Sequence, residues 1–112
     1  MSESPHEPNS AALLKLGDFQ QLIRAMYYEK DVARGVDGTF MWLMEEIGEL
    51  AASLRERDHA AQMGEFADVL AWLATIANVA GVDLAQAVAA KYGTGCPGCQ
   101  QFVCTCPDEG KP

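Results

Sequence analysis

An all-α fold is what this sequence predicts, on three observations. Apolar residues recur at three and four along successive stretches, no stretch alternates with the two-residue period of a strand, and glycines or capping residues punctuate the stretches. These imply a four-helix bundle whose two central helices, joined by a short link, pack antiparallel. Residues 1–12 are a Ser/Pro/Glu tail expected to be disordered, 13–93 the helical domain, and 94–112 a cysteine-rich tail carrying a small knuckle.

The first helix is expected from Leu13 to about residue 33, with Leu13, Leu16, Phe19, Leu22, Ile23 and Met26 on one face. Gly35-Val36-Asp37-Gly38 then breaks the chain. Asp37 or Thr39 caps a second helix with the stripe Phe40, Leu43, Met44, Ile47, Leu50 and Leu54, fading at Arg55-Glu56-Arg57-Asp58. A third starts near His59, carries Phe66, Val69, Leu70, Leu73 and Ile76, and stops at Gly81. Asp83 with Gln86 three residues on opens a short fourth helix that ends at Tyr92-Gly93.

One domain of 112 residues has a modest core, and self-association would help it. No apolar run approaches the roughly 18 residues of a membrane span, and the N-terminus lacks the order of a signal peptide, so the expectation is a cytoplasmic protein without a membrane partner. A net charge of -8 speaks against binding a nucleic-acid backbone, and a phosphorylated ligand would need a cation between it and the protein.

Two acidic pairs stand out: Glu46 with Glu49, preceded by Glu45, and Glu65 with Asp68. Three apart on a helix, the members of each pair are neighbours beside an apolar stripe, and no basic residue lies three or four away to neutralise them. Acidic pairs commonly mark solvated faces. Unneutralised on two adjacent helices, these instead suggest an all-oxygen site for Mg²⁺ or Mn²⁺ and chemistry on a phosphoanhydride. Trp42 shares the face of the first pair and Trp72 that of the second, where each either packs in the core or stacks on a base.

Glu45-Glu46-Ile47-Gly48-Glu49, a 15-residue gap and Glu65-Phe66-Ala67-Asp68 resemble the signature of the MazG-like all-α nucleoside triphosphate pyrophosphohydrolases, over roughly residues 17–92. The resemblance implies Mg²⁺-dependent hydrolysis of an NTP or dNTP between the α and β phosphates, giving the monophosphate and pyrophosphate. It implies Glu46, Glu49, Glu65 and Asp68 as metal ligands and Glu45 as the water-orienting carboxylate or general base. Lys91 would meet a phosphate and Asn78 approach the nucleotide, and a homo-oligomer, dimer or dimer of dimers, would complete the pocket. Phosphoribosyl-ATP and dUTP-type branches share the same carboxylates.

Cys96, Cys99, Cys104 and Cys106 follow a C-x₂-C-x₄-C-x-C pattern. Four thiolates so close suit one structural Zn²⁺, with disulfides or free thiols as alternatives; the familiar iron–sulfur spacings differ. A rival of another class is a non-enzymatic zinc-knuckle adaptor, weakened by the lack of a basic or aromatic patch around the cysteines.

Overall fold

The computed structural model describes residues 13–107. Three helices account for its regular structure: α1 (Leu16–Glu56), α2 (His59–Ala80) and α3 (Leu84–Tyr92), with no strand among the described residues. The expected N-terminal tail at 1–12 lies outside the described residues.

The expected four-helix count is not confirmed, because the two helical arms on either side of Gly35 run on as one kinked α1. The segment read as a break stays helical except at Gly35, whose φ of 83° and ψ of 171° fall in a region open essentially to glycine alone. The chain therefore kinks at one residue instead of looping over four. Thr39, fully buried, donates its hydroxyl to the Gly35 carbonyl at 2.7 Å, so it bridges the kink and does not cap a new helix. Arg34 braces the same point, donating to Asp31 Oδ1 at 3.0 Å and to Thr39 Oγ1 at 3.4 Å.

The later boundaries follow their local signals. Asp58 caps α2 by accepting from the Ala61 N–H at 3.2 Å, and Gly81 ends it in the left-handed conformation at φ 77°. Asp83 caps α3 by accepting from the Gln86 N–H at 2.9 Å.

Cross-helix contacts establish the antiparallel packing of α1 and α2. Gln62 donates to the Ser53 carbonyl at 3.3 Å near the turn, Trp42 stacks on Trp72 farther along, and Gln20 meets Asn78 near the far end. Both arms of α1, before and after Gly35, thus lie along α2. Gln20 fastens that far end: Nε2 donates to Asn78 Oδ1 at 2.9 Å and the Val82 carbonyl at 2.8 Å, and Oε1 accepts from the Leu84 N–H at 2.8 Å. One side chain so ties α1, the end of α2 and the start of α3.

Among the described residues, Ile23, Leu43, Ala74 and Ala77 form the buried apolar seam. Phe40, Met44, Ile47 and Leu54 on α1 and Phe66, Leu70 and Leu73 on α2, expected in the core, are instead 40–56% exposed. The physical reason is layering: helices set side by side bury the strip between them, and covering their outer faces requires another layer. By length and composition alone α2 is apolar enough to cross a membrane, with a mean hydropathy of 1.2 over 18 residues, a test that the core helices of globular proteins also pass. Its Glu65 and Asp68 interrupt that apolar stretch.

Candidate active site

The turn at Arg57-Asp58 sets the register in which α2 returns along α1. One turn of helix beyond the Ser53–Gln62 contact, Glu46 and Glu49 of α1 face Glu65 of α2, each offering a carboxylate oxygen within 4.8 Å of the others. Spacing three apart stacks Glu46 and Glu49 on one face, and antiparallel pairing supplies Glu65 from the opposite helix.

This proximity carries an electrostatic cost. Glu46 Oε1 and Glu65 Oε1 are buried without a hydrogen-bond partner. Burial, reinforced by Glu49, Asp68, Glu65 and Glu45, raises the carboxyl of Glu46 above its ordinary range. Burial, Glu49 and Asp68 do the same to Glu65. Asp68 therefore acts on the cluster through its field without belonging to its closest triad. Glu45 is exposed on the outer side, beside Glu46. Two orphaned oxygens in a crowd of carboxylates are what a hard divalent cation would satisfy, so these residues fit such a group.

Beside the cluster a cavity of about 400 Å³ opens between the first arm of α1 and α2, lined by Tyr27, Lys30, Asp31, Arg34, Asp68 and Trp72 among others. The Arg34 guanidinium lies 4.9 Å from the centre of the Trp72 ring, and Trp42 stacks on Trp72 with centroids 5.9 Å apart. Asp31 is 2% exposed; one of its oxygens is held by Arg34 and the other, Oδ2, is buried without a partner. Among the described residues Lys30 has no carboxylate within ion-pair distance, Arg34–Asp31 being the one salt bridge there.

Tyr27, Lys30, Asp31 and Arg34 escaped the sequence reading because each gains its place from the tertiary contact of the first arm with α2. The spacing of Lys30 and Arg34, four apart, would have put two positive charges on one face, the only signal available.

Two substrate-contact candidates lie elsewhere. Asn78, ten residues and so about 15 Å along α2 from Asp68, has its amide engaged by Gln20, donating to the Gln20 carbonyl at 3.3 Å besides accepting from Nε2. Lys91, in the last turn of α3, extends over the neighbouring Tyr92 ring at 5.7 Å and does not line the cavity.

The four cysteines converge as a second cluster, their sulfurs all within 4.8 Å of one another. Hydrogen bonds from the backbone of Thr105 and Gln101 push the Cys99 thiol down to about 6. Cys96 is also lowered, by the N–H groups of Cys99 and Gly98. Cys106, crowded by the sulfurs of Cys104 and Cys99, is pushed up to about 12. The group could hold a metal ion.

An all-α hairpin with a carboxylate cluster in its seam, and beside it a cavity that brings Lys30 and Arg34 together with Asp31, Asp68 and Trp72, defines a class of helical proteins with a candidate cation site between two helices. Comparison with known proteins makes the class specific. The MazG nucleotide pyrophosphohydrolase domain matches residues 34–99, from Arg34 through both acidic motifs to Cys99. A dATP/dGTP diphosphohydrolase of Cyanophage S-2L is 38% identical over 76 residues, which cover 68% of this chain and 69% of the relative. The chain belongs to the MazG nucleotide pyrophosphohydrolase family, and it is a nucleoside triphosphate pyrophosphohydrolase, not a non-enzymatic adaptor.

Proposed function

We propose that the enzyme cleaves a nucleoside or deoxynucleoside triphosphate between its α and β phosphates, releasing pyrophosphate, in a reaction that needs Mg²⁺ or Mn²⁺. The observation that carries this reading is the carboxylate seam, where Glu46, Glu49 and Glu65 converge and two buried oxygens lack partners. Glu46, Glu49, Glu65 and Asp68 would hold the cation, which when bound neutralises the triphosphate and the charge developing on the leaving pyrophosphate. Glu45, exposed beside the cluster, accepts the proton of the attacking water.

Lys30 and Arg34, on the cavity wall next to Asp68, offer the positive charge for the nucleotide's phosphates. They take the role that Lys91 and Asn78, both outside this cavity, were expected to fill. The Trp42–Trp72 pair offers an aromatic surface to a base. A purine deoxynucleotide is the substrate we favour, supported by the 38% identity to a relative named for dATP and dGTP.

The same reading includes a homo-oligomer, dimer or dimer of dimers. Its support is the apolar outer face of Phe40, Met44, Ile47, Phe66 and Leu70, 40–56% exposed in a single chain. A cytoplasmic location accompanies it, consistent with four unpaired thiols.

Pyrophosphate release measured over the common NTPs and dNTPs, with Mg²⁺ and with chelator, tests the proposal. Turnover of dATP or dGTP that stops on chelation is expected. Orthophosphate instead of pyrophosphate as the product, or full activity in chelator, overturns it.

A further inference from the structure

We propose that Cys96, Cys99, Cys104 and Cys106 form a tetrahedral zinc site that clips residues 96–106 into a rigid hook after α3. The site is separate from the catalytic seam, and its outer half lies beyond the family match, which ends at Cys99.

The spacing of the sulfurs points to a single small ion. Zinc bonds thiolate at about 2.3 Å, so a regular tetrahedron around it has sulfur–sulfur edges of about 3.8 Å. Cys96 Sγ lies 3.6 Å from Cys104 Sγ and 3.9 Å from Cys106 Sγ, on either side of that edge. All four sulfurs are within 4.8 Å of one another and none is joined in a disulfide. A polynuclear iron–sulfur cluster would need its cysteine sulfurs farther apart, because several irons and sulfides stand between them.

The backbone around the cysteines is already shaped for the ion. Two tight turns present the thiols: Gly98 N–H donates to Cys96 Sγ in the first and Cys106 N–H to Cys104 Sγ in the second, each at 3.3 Å. Thr105 N–H donates to Cys99 Sγ at 3.3 Å, linking the two halves. Such N–H···S bonds orient ligand sulfurs and spread their charge, the task of partners around a metal centre.

Closure of the first turn rests on two backbone bonds. Cys96 N–H donates to the Gln101 carbonyl at 2.9 Å and Gln100 N–H to the Cys96 carbonyl at 2.6 Å. Gly95 makes the approach possible: its φ is 121°, and a Cβ there would meet the Gln101 carbonyl oxygen at 2.9 Å. Backbone bonds and a glycine alone do little to hold so short and exposed a segment, with Phe102 96% and Val103 75% exposed. With almost no apolar burial of its own, the segment depends on the metal.

Metal analysis of the full-length chain, purified without chelator, should find about one zinc per chain. Exchange for Co²⁺ should give the visible bands and sulfur-to-metal charge transfer of a tetrahedral tetrathiolate. Cys99→Ser and Cys106→Ser should each lose the zinc while far-UV circular dichroism shows the helices intact. Glu46→Gln with Glu49→Gln should keep it, which separates this site from the catalytic proposal. Native chain with no metal and four titratable thiols, stoichiometric disulfides, or iron in place of zinc would overturn the assignment. Should the serine variants fail to fold, the Co²⁺ spectrum of the unmodified chain decides alone.

Discussion

The carboxylate seam and the cysteine hook are both clusters of anionic ligand atoms, yet they are built in opposite ways. The seam joins Glu46 and Glu49 to Glu65 across two helices, so it exists only once α2 has packed on α1. The hook draws its four sulfurs from eleven consecutive residues through turns of its own. Their chemistry diverges accordingly. The seam's hard oxygens are kept protonatable by burial and mutual repulsion, while the hook's soft sulfurs are held by N–H donors. A site assembled by tertiary packing is sensitive to the whole fold, whereas a site assembled locally can fail or persist by itself.

The largest effect that would sharpen this contrast is on catalysis. Glu49→Gln or Asp68→Asn should lower kcat/KM at least about 100-fold, the scale of losing a group that stabilises transition-state charge, with the helical spectrum unchanged. Steady-state pyrophosphate release checks it, and wild-type rates in either variant would remove that residue from the metal site.

Next comes the kink that lets both arms of α1 reach α2. Gly35→Ala places a Cβ in a region reserved for glycine and should cost about 1–3 kcal/mol. Chemical denaturation measures that loss. The seam should be disturbed and the hook spared, so a zinc content that falls together with stability would break the distinction between tertiary and local sites.

Gln20→Ala should cost about 1–3 kcal/mol, because it leaves Asn78 Oδ1 and the Leu84 N–H without the partner that the Gln20 side chain supplies. Hydrogen exchange should show the loss concentrated at the end of α2 and in α3.

The mildest effect is a pH dependence. Glu46 and Glu65 have raised folded-state values, so the fold favours their protonated forms. That contribution is complete below the ordinary carboxylate range and disappears as pH rises through the raised values. In chelator the melting temperature should therefore fall as pH rises above about 4, and Mg²⁺ should flatten the decline. Identical melting profiles with and without Mg²⁺ would detach the seam from cation binding.

Legibility from sequence followed the range of the interactions. Gly81 and Asp83 act within one turn of where they stand, and the end of α2 and the start of α3 could be read from them, whereas Asp58, read as the fading end of the preceding helix, caps α2. The acidic spacing could likewise be read, since i and i+3 share a face on any helix. Gly35 was visible as a breaker, but its confinement to one residue depends on Thr39 and Arg34 closing the gap. The apolar stripes were visible too, and their exposure was not, because periodicity tells which residues share a face without telling what covers it. Lys30, Asp31 and Arg34 acquire meaning only against Trp72 and Asp68, a pairing set by how the kinked arm lies on α2.

The fastening by Gln20 bears on what counts as the minimal enzyme. A fragment trimmed to the family-matched residues 34–99 would retain every seam carboxylate. It would also lose Tyr27, Lys30 and Asp31 from the cavity wall, together with the one amide that latches the far end of the hairpin shut. The family-matched stretch thus supplies the ligands, and the arm before it is the jig in which they are held to shape.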